Sequence, residues 1–124
     1  MGKPVYKMSR KKKIGEWGEN EASDFLSNLG YEIIARNVRT LRGEIDILAK
    51  SDDVTIFVEV RTLTSNRIAH PEETITRQKQ SHMMAAVEDY IQLHGIDHWQ
   101  IDAIAVEGKP GSKPPITHFE NVLG

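Results

Sequence analysis

GEIDILAKSDDVTIFVEVR, residues 43–61, contains two runs in which carboxylates alternate with aliphatic side chains, Glu44-Ile45-Asp46-Ile47 and Val58-Glu59-Val60-Arg61. Alternation with a period of two predicts strands, and the polar Ser51-Asp52-Asp53 between them predicts a hairpin. If the loop is Asp52-Asp53, or the four residues from Ser51 to Val54, opposed positions sum to 105. Asp46 then faces Glu59, and Glu44 faces Arg61. Side chains opposed in this way have Cβ atoms roughly 5 Å apart, and like charges so placed repel. A divalent cation between them answers the repulsion, because Mg²⁺-like ions take oxygen ligands and typically one or two carboxylates. Two alternatives stay open at this point. A three-residue loop would send the two acids to opposite faces. The alternation also fits a sheet face that simply meets water.

A chain of 124 residues is the size of one domain with a modest core. Its 39% hydrophobic and 27% charged content is that of an ordinary globular protein. No run approaches the roughly 18 apolar residues of a membrane span. The absence of cysteine excludes disulfides and thiolate metal sites. The basic N-terminus has no apolar stretch behind it, so it does not read as a secretory signal, and the cytoplasm is the expected compartment.

The net charge of −2 conceals a sharp division. Lys3, Lys7, Arg10, Lys11, Lys12 and Lys13 crowd residues 1–13, which contain no acid; the other ten basic residues face 18 acids, a net of −8. Residues 1–13 read as a flexible basic arm and 14–124 as one domain. Such an arm suits phosphate contacts that ignore base sequence, and equally suits a solvated tail. The acidic body needs local basic patches or bound metal to accept a nucleic acid.

Along the chain, Trp17, Gly18, Ala22, Phe25, Leu26 and Leu29 recur at helical spacing, which predicts a helix over 14–29 closed by Gly30. Glu16, Glu19, Glu21 and Asp24 are expected to favour its N-terminal half through the helix dipole. A strand follows over 31–38, then a turn at Arg42-Gly43 and the carboxylate hairpin. After a polar loop from Thr62 to about Glu73, a second helix is expected from near Thr76 to His94, with Met83, Ala86, Val87, Tyr90 and Ile91 as its apolar stripe. Trp99–Val106 and Ile116–Phe119 read as further strands. The order α-β-β-β-α-β-β predicts an α/β domain, a mixed sheet flanked by helices.

Glu19 in the first helix, Asp46 after Gly-Glu-Ile, and Glu59-x-Arg61 form a series that resembles the PD-(D/E)xK nuclease superfamily, with its restriction-endonuclease-like αβββαβ core, and within it the Holliday-junction resolvases. GEWGENEA, GYEIIARNVR, GEIDILA, FVEVR and IDAIAVE together resemble the YraN-type family of poorly characterised bacterial proteins, over nearly all of residues 15–122. The resemblance implies a metal-dependent nuclease acting on branched or structured DNA. Asp46 and Glu59 would ligate Mg²⁺ or Mn²⁺ with the main-chain carbonyl of Val60, and Glu19 would complete the acidic set. The metal would polarise the scissile phosphate and activate a water for attack. Related resolvases act as dimers, so a homodimer is expected on the same ground.

Arg61 departs from that pattern, which has lysine there. Arginine stays protonated and can hold a phosphate, but cannot act as general base. Lys79 in the second helix is the candidate to replace it; exposed helix lysines are also commonplace. Arg36, Arg39 and Arg42 lie beside the acids and suit phosphate contacts or edge-strand solubility. Asp102 in an apolar strand needs a partner if buried, such as a helix terminus or Arg61. The five histidines have no recognised zinc spacing. An alternative function keeps the fold and loses the chemistry: a DNA-binding or protein-interaction module with a vestigial site.

Overall fold

The computed structural model describes residues 10–63 and 77–122; for residues 10, 11 and 77–80 only the backbone is described. Helix α1 (Arg10–Asn28) leads into strands β1 (Glu32–Arg39), β2 (Glu44–Ser51) and β3 (Val54–Leu63). Helix α2 (Arg77–His94), β4 (Trp99–Glu107) and β5 (Ile116–Phe119) follow. The sheet order is β1-β2-β3-β4-β5. All neighbours are antiparallel except β3 and β4, which run parallel because α2 carries the chain back between them. This is the expected mixed sheet, consistent with a restriction-endonuclease-like core.

The two helices cover opposite faces. On the α1 face, Ala22 and Leu26 pack against Ile47, Ala49, Ile56, Val58, Val60, Ile104 and Val106. On the other, Met83, Ala86 and Val87 of α2 pack against Leu48, Phe57 and Ile101. Consecutive residues Ile56, Phe57 and Val58 divide between the two clusters, as strand alternation requires. α1 ends in a Schellman arrangement: Tyr31 N–H donates to the Leu26 carbonyl at 3.0 Å and Gly30 N–H to that of Ser27 at 3.0 Å, with Gly30 at φ 95°.

The hairpin register is settled by its ladder. Ile47 pairs with Val58 and Ser51 with Val54, so partners sum to 105 and the loop is Asp52-Asp53, with Asp52 at φ 51°.

Three expectations are corrected. α1 runs from Arg10, four residues before the expected start, so residues 10–13 are helical. Its first turn therefore contains no acid, and the dipole argument for Glu16 to Asp24 fails because those residues lie beyond the end where the dipole acts. Leu29 is 54% exposed instead of joining the core, since the chain already turns at Gly30. The expected arm up to residue 9 and the loop over 64–76 lie outside the described residues. Among the described residues no helix is long and apolar enough to cross a membrane.

Two glycines set the helix-to-sheet distances beside the carboxylates. A Cβ on Gly18 would collide with the Thr62 side chain of β3, and one on Gly43 with the main-chain carbonyl of His82 in α2. A backbone atom cannot rotate aside, so Gly43→Ala should destabilise by about 1–3 kcal/mol, as overpacking usually does. Urea unfolding checks this; an unchanged midpoint would mean that α2 rides freely over the start of β2.

Candidate active site

The β2–β3 ladder stops at Ile47↔Val58, one position before Asp46 and Glu59. β3 continues beside β4 through Val60↔Ile104 to Leu63↔Glu107, so β3 stays in the sheet while β2 departs. Asp46 fills the opening. Its Oδ2 accepts from Val60 N–H at 2.9 Å, replacing the main-chain partner that β2 no longer supplies. In an extended strand the N–H and C=O of one residue point the same way, so the Val60 carbonyl also faces this opening. Glu59, only 4% exposed, lines an open groove of 540 Å³ with Asp46, Gly43 and Glu44. Arg61 Nη2 stands 3.4 Å from Glu59 Oε1, and both side chains are largely buried.

Glu19 approaches the same opening from α1. It lines a smaller groove of 220 Å³ with Asp46, Val60 and Arg61, so Asp46 forms a wall of both grooves. Glu19 Oε1 is buried with no hydrogen-bond partner among the described residues; the nearest cation, Arg36 Nη2, is 3.7 Å away. Burial holds the Glu19 carboxyl above its ordinary range, and the negative charge of Asp46 adds to this. A hydrogen bond from the Asn37 side chain and the charge of Arg36 act the other way, and Glu44 raises it further.

Asp46 thus adjoins Glu59 in one groove and Glu19, Val60 and Arg61 in the other; Glu19 and Glu59 share neither groove. The side chain of Lys79 lies outside the described residues, as does that of Lys11. Lys12, Arg36 and Arg39 border a groove of 540 Å³ between α1 and β1 that also includes Glu19. Lys13 is exposed on α1. Arg42 turns instead to α2: its Nη2 lies 2.7 Å from Asp89 Oδ1, and its main-chain N–H donates to Asp89 Oδ2 at 3.1 Å. That pair holds the β1–β2 turn on α2, and the mutual hydrogen bond lowers the Asp89 carboxyl pKa and raises that of Arg42.

Asp102 is fully buried, and its partners are neither a helix end nor Arg61. Gln100 Nε2 and Asn121 N–H donate to Oδ1 at 2.8 and 2.9 Å, and His118 Nε2 sits 2.7 Å from Oδ2. Glu120 is close enough for Asp102, His118 and Glu120 to offer a cation three ligand atoms. The Tyr31 hydroxyl donates to Glu120 at 3.0 Å, and burial together with that bond pushes its pKa up to about 12. Sequence spacing misses this cluster because β5 joins β4 only through a long connection; the signal is the Ile104↔His118 register, which sets Asp102 opposite Glu120.

The uncharacterised protein family UPF0102 matches residues 18–106. The chain belongs to this family. A UPF0102 protein of Dehalococcoides mccartyi is 38% identical over 117 residues, covering 92% of this chain and 95% of that one. A UPF0102 protein of Chloroflexus aurantiacus is 41% identical over 116 residues, covering 91% and 92%. Among solved structures, Pyrococcus furiosus SfsA in complex with Ca²⁺ aligns with a TM-score of 0.34 and 13% identity, over 84% of this chain and 60% of that one.

Carboxylate and carbonyl oxygens are the ligand type that a hard divalent cation takes. Asp46, Glu59, Glu19 and the Val60 carbonyl offer oxygens, and His82 also lines the groove with Asp46 and Glu59. Glu19 Oε1 is a buried acceptor without a hydrogen-bond partner among the described residues. The elevated Glu19 pKa has a consequence for metal-free protein. The folded state keeps this proton to higher pH than the unfolded chain, so the group favours folding below about pH 4.5, and that contribution is lost as pH rises through the folded value. Glu19→Gln should therefore melt above the parent at pH 7 in chelator, with the difference closing toward pH 4. A parent that melts higher at pH 7 would contradict the assignment.

Proposed function

We propose that this chain is a divalent-metal-dependent nuclease that hydrolyses phosphodiester bonds in branched or otherwise structured DNA. The observation that supports the reading is the opening of β2 from β3 at Asp46, which leaves Asp46 in the walls of two grooves, one shared with Glu59 and the other with Glu19 and Val60. Asp46, Glu59 and the Val60 carbonyl would hold Mg²⁺ or Mn²⁺, with Glu19 completing the set directly or through water. When bound, such an ion polarises a phosphoryl oxygen and makes a water a competent nucleophile at neutral pH. Arg61 presents a fixed fork of donors that can bind a phosphate oxygen and stabilise charge developing on it. Lys12, Arg36 and Arg39 border the adjoining groove and supply a path for a phosphate backbone.

One observation favours the alternative of a DNA-binding module with a weak site. Arg61 lies against Glu59 at 3.4 Å, so Glu59 already has a buried counter-charge, and arginine cannot remove a proton from water.

Purified protein should nick a four-way or flapped DNA with Mn²⁺ and stop on chelation. Asp46→Asn keeps an acceptor for Val60 N–H while losing the charge, and Glu59→Gln is its counterpart; each should lower cleavage by at least about a hundredfold. No cleavage by the parent across such a panel would end the nuclease reading. Arg61→Lys separates the two readings, because it restores a group able to act as general base. Cleavage rising by about ten- to a hundredfold identifies a site limited by proton transfer. Unchanged background cleavage, with salt-sensitive DNA binding intact, identifies the binding module.

A further inference from the structure

Asn37 has a left-handed backbone, φ 52°, in the interior of β1. Among the described residues the other left-handed positions lie in loops or at helix ends, where the chain reverses; Asn37 makes no turn. Asparagine tolerates this conformation better than most residues, yet within a strand it still opposes the local preference, and strain of this kind gathers at functional sites. The pairs Arg36↔Ile47 and Val38↔Ile45 bracket Asn37 and set it opposite Asp46. The bulge in β1, between Ile33 and Ala35, is a separate irregularity.

The kink has a geometric effect. In a regular strand, successive side chains point to opposite faces. Here Arg36 Nη1 donates to Asn20 Oδ1 at 2.7 Å, and the next residue, Asn37, lines the same groove as Glu19 and Asn20. Two consecutive β1 residues thus turn toward α1. Both line the groove that includes Glu19.

We infer that Asn37 is a positioning residue, whose left-handed backbone turns its amide onto Glu19 and holds that carboxylate beside Asp46. The role in metal binding rests on the reading of Glu19, Asp46 and Glu59 as a metal centre; the Asn37–Glu19 bond itself does not.

Glycine suits the test, because it accepts φ 52° without strain and carries no amide; the extra freedom it gives the unfolded chain cancels in a double-variant cycle. In metal-free protein, urea unfolding of Asn37→Gly, Glu19→Gln and the double variant forms a cycle. The expected result is non-additivity, with Glu19→Gln stabilising more in the Asn37→Gly background, where the carboxylate has lost its donor. Additive effects would overturn the inference. Calorimetric titration with Mn²⁺ should then show affinity weakened roughly tenfold or more in a folded Asn37→Gly protein. Equal affinity would overturn the positioning role. So would tighter Mn²⁺ binding by Asn37→Asp, since a carboxylate that helps there is a ligand and not a support. If the parent takes up no Mn²⁺, the metal reading fails, and the metal-free cycle still decides whether Asn37 holds Glu19.

Discussion

The bond from Val60 N–H to the Asp46 carboxylate lets one strand leave another inside a buried sheet. Separating β2 from β3 after Ile47 would strand a buried amide, which costs about 1–3 kcal/mol if nothing accepts from it. Asp46 Oδ2 at 2.9 Å removes that cost, and a charged acceptor makes the bond stronger than the one it replaces. A neutral aliphatic at position 46 would instead favour closing the ladder by two more pairs, bringing Glu59 under a continuous sheet. The same carboxylate therefore opens the gap and furnishes part of its lining.

Much of the surrounding structure holds the edges of that gap in place. Gly18 lets α1 lie close to Thr62 at the end of β3, and Gly43 lets the start of β2 lie against the His82 carbonyl. Arg42 ties the β1–β2 turn to Asp89, so β2 diverges toward α2 from a fixed point. This exposed pair contributes little to global stability on general grounds. Its effect is on direction: it decides where Glu44 and Asp46 begin. Behind the gap, the parallel β3–β4 ladder and its two apolar faces supply the rigidity that the separated strands lack.

The parts legible from sequence are those that depend on local period. The hairpin register was one of two that alternation and a short acidic loop allowed. The ladder chose the one whose partners sum to 105, and it ends at Ile47↔Val58, one pair short of Asp46 and Glu59. The order of elements along the chain, and so the mixed sheet, followed from the alternation of strand and helix patterns. Three features depend on contacts far apart in the chain and were hidden. Lysine and arginine at 10–13 look like a tail because they carry no apolar stripe, yet the helix propagates through them from residues that do pack. Asn37 looks like one more polar strand residue, since nothing local reports a positive φ. Asp102 needed a partner, but His118 and Asn121 come from beyond a loop rich in proline and glycine whose length obscures the β4–β5 pairing.

The arginine at position 61 is best understood through the charges it meets. Carboxylates close to one another repel, and the fold must offset that repulsion. Arg61 at 3.4 Å from Glu59 and Arg36 at 3.7 Å from Glu19 each offset one of them. A guanidinium suits this task better than an ammonium: it is more weakly hydrated, so burying it costs less, and its fork fixes the partner's orientation. The same properties remove it from proton transfer. In the proposed nuclease such a site would obtain its base from solvent, from the substrate, or from α2, whose His82 lines the groove with Asp46 and Glu59.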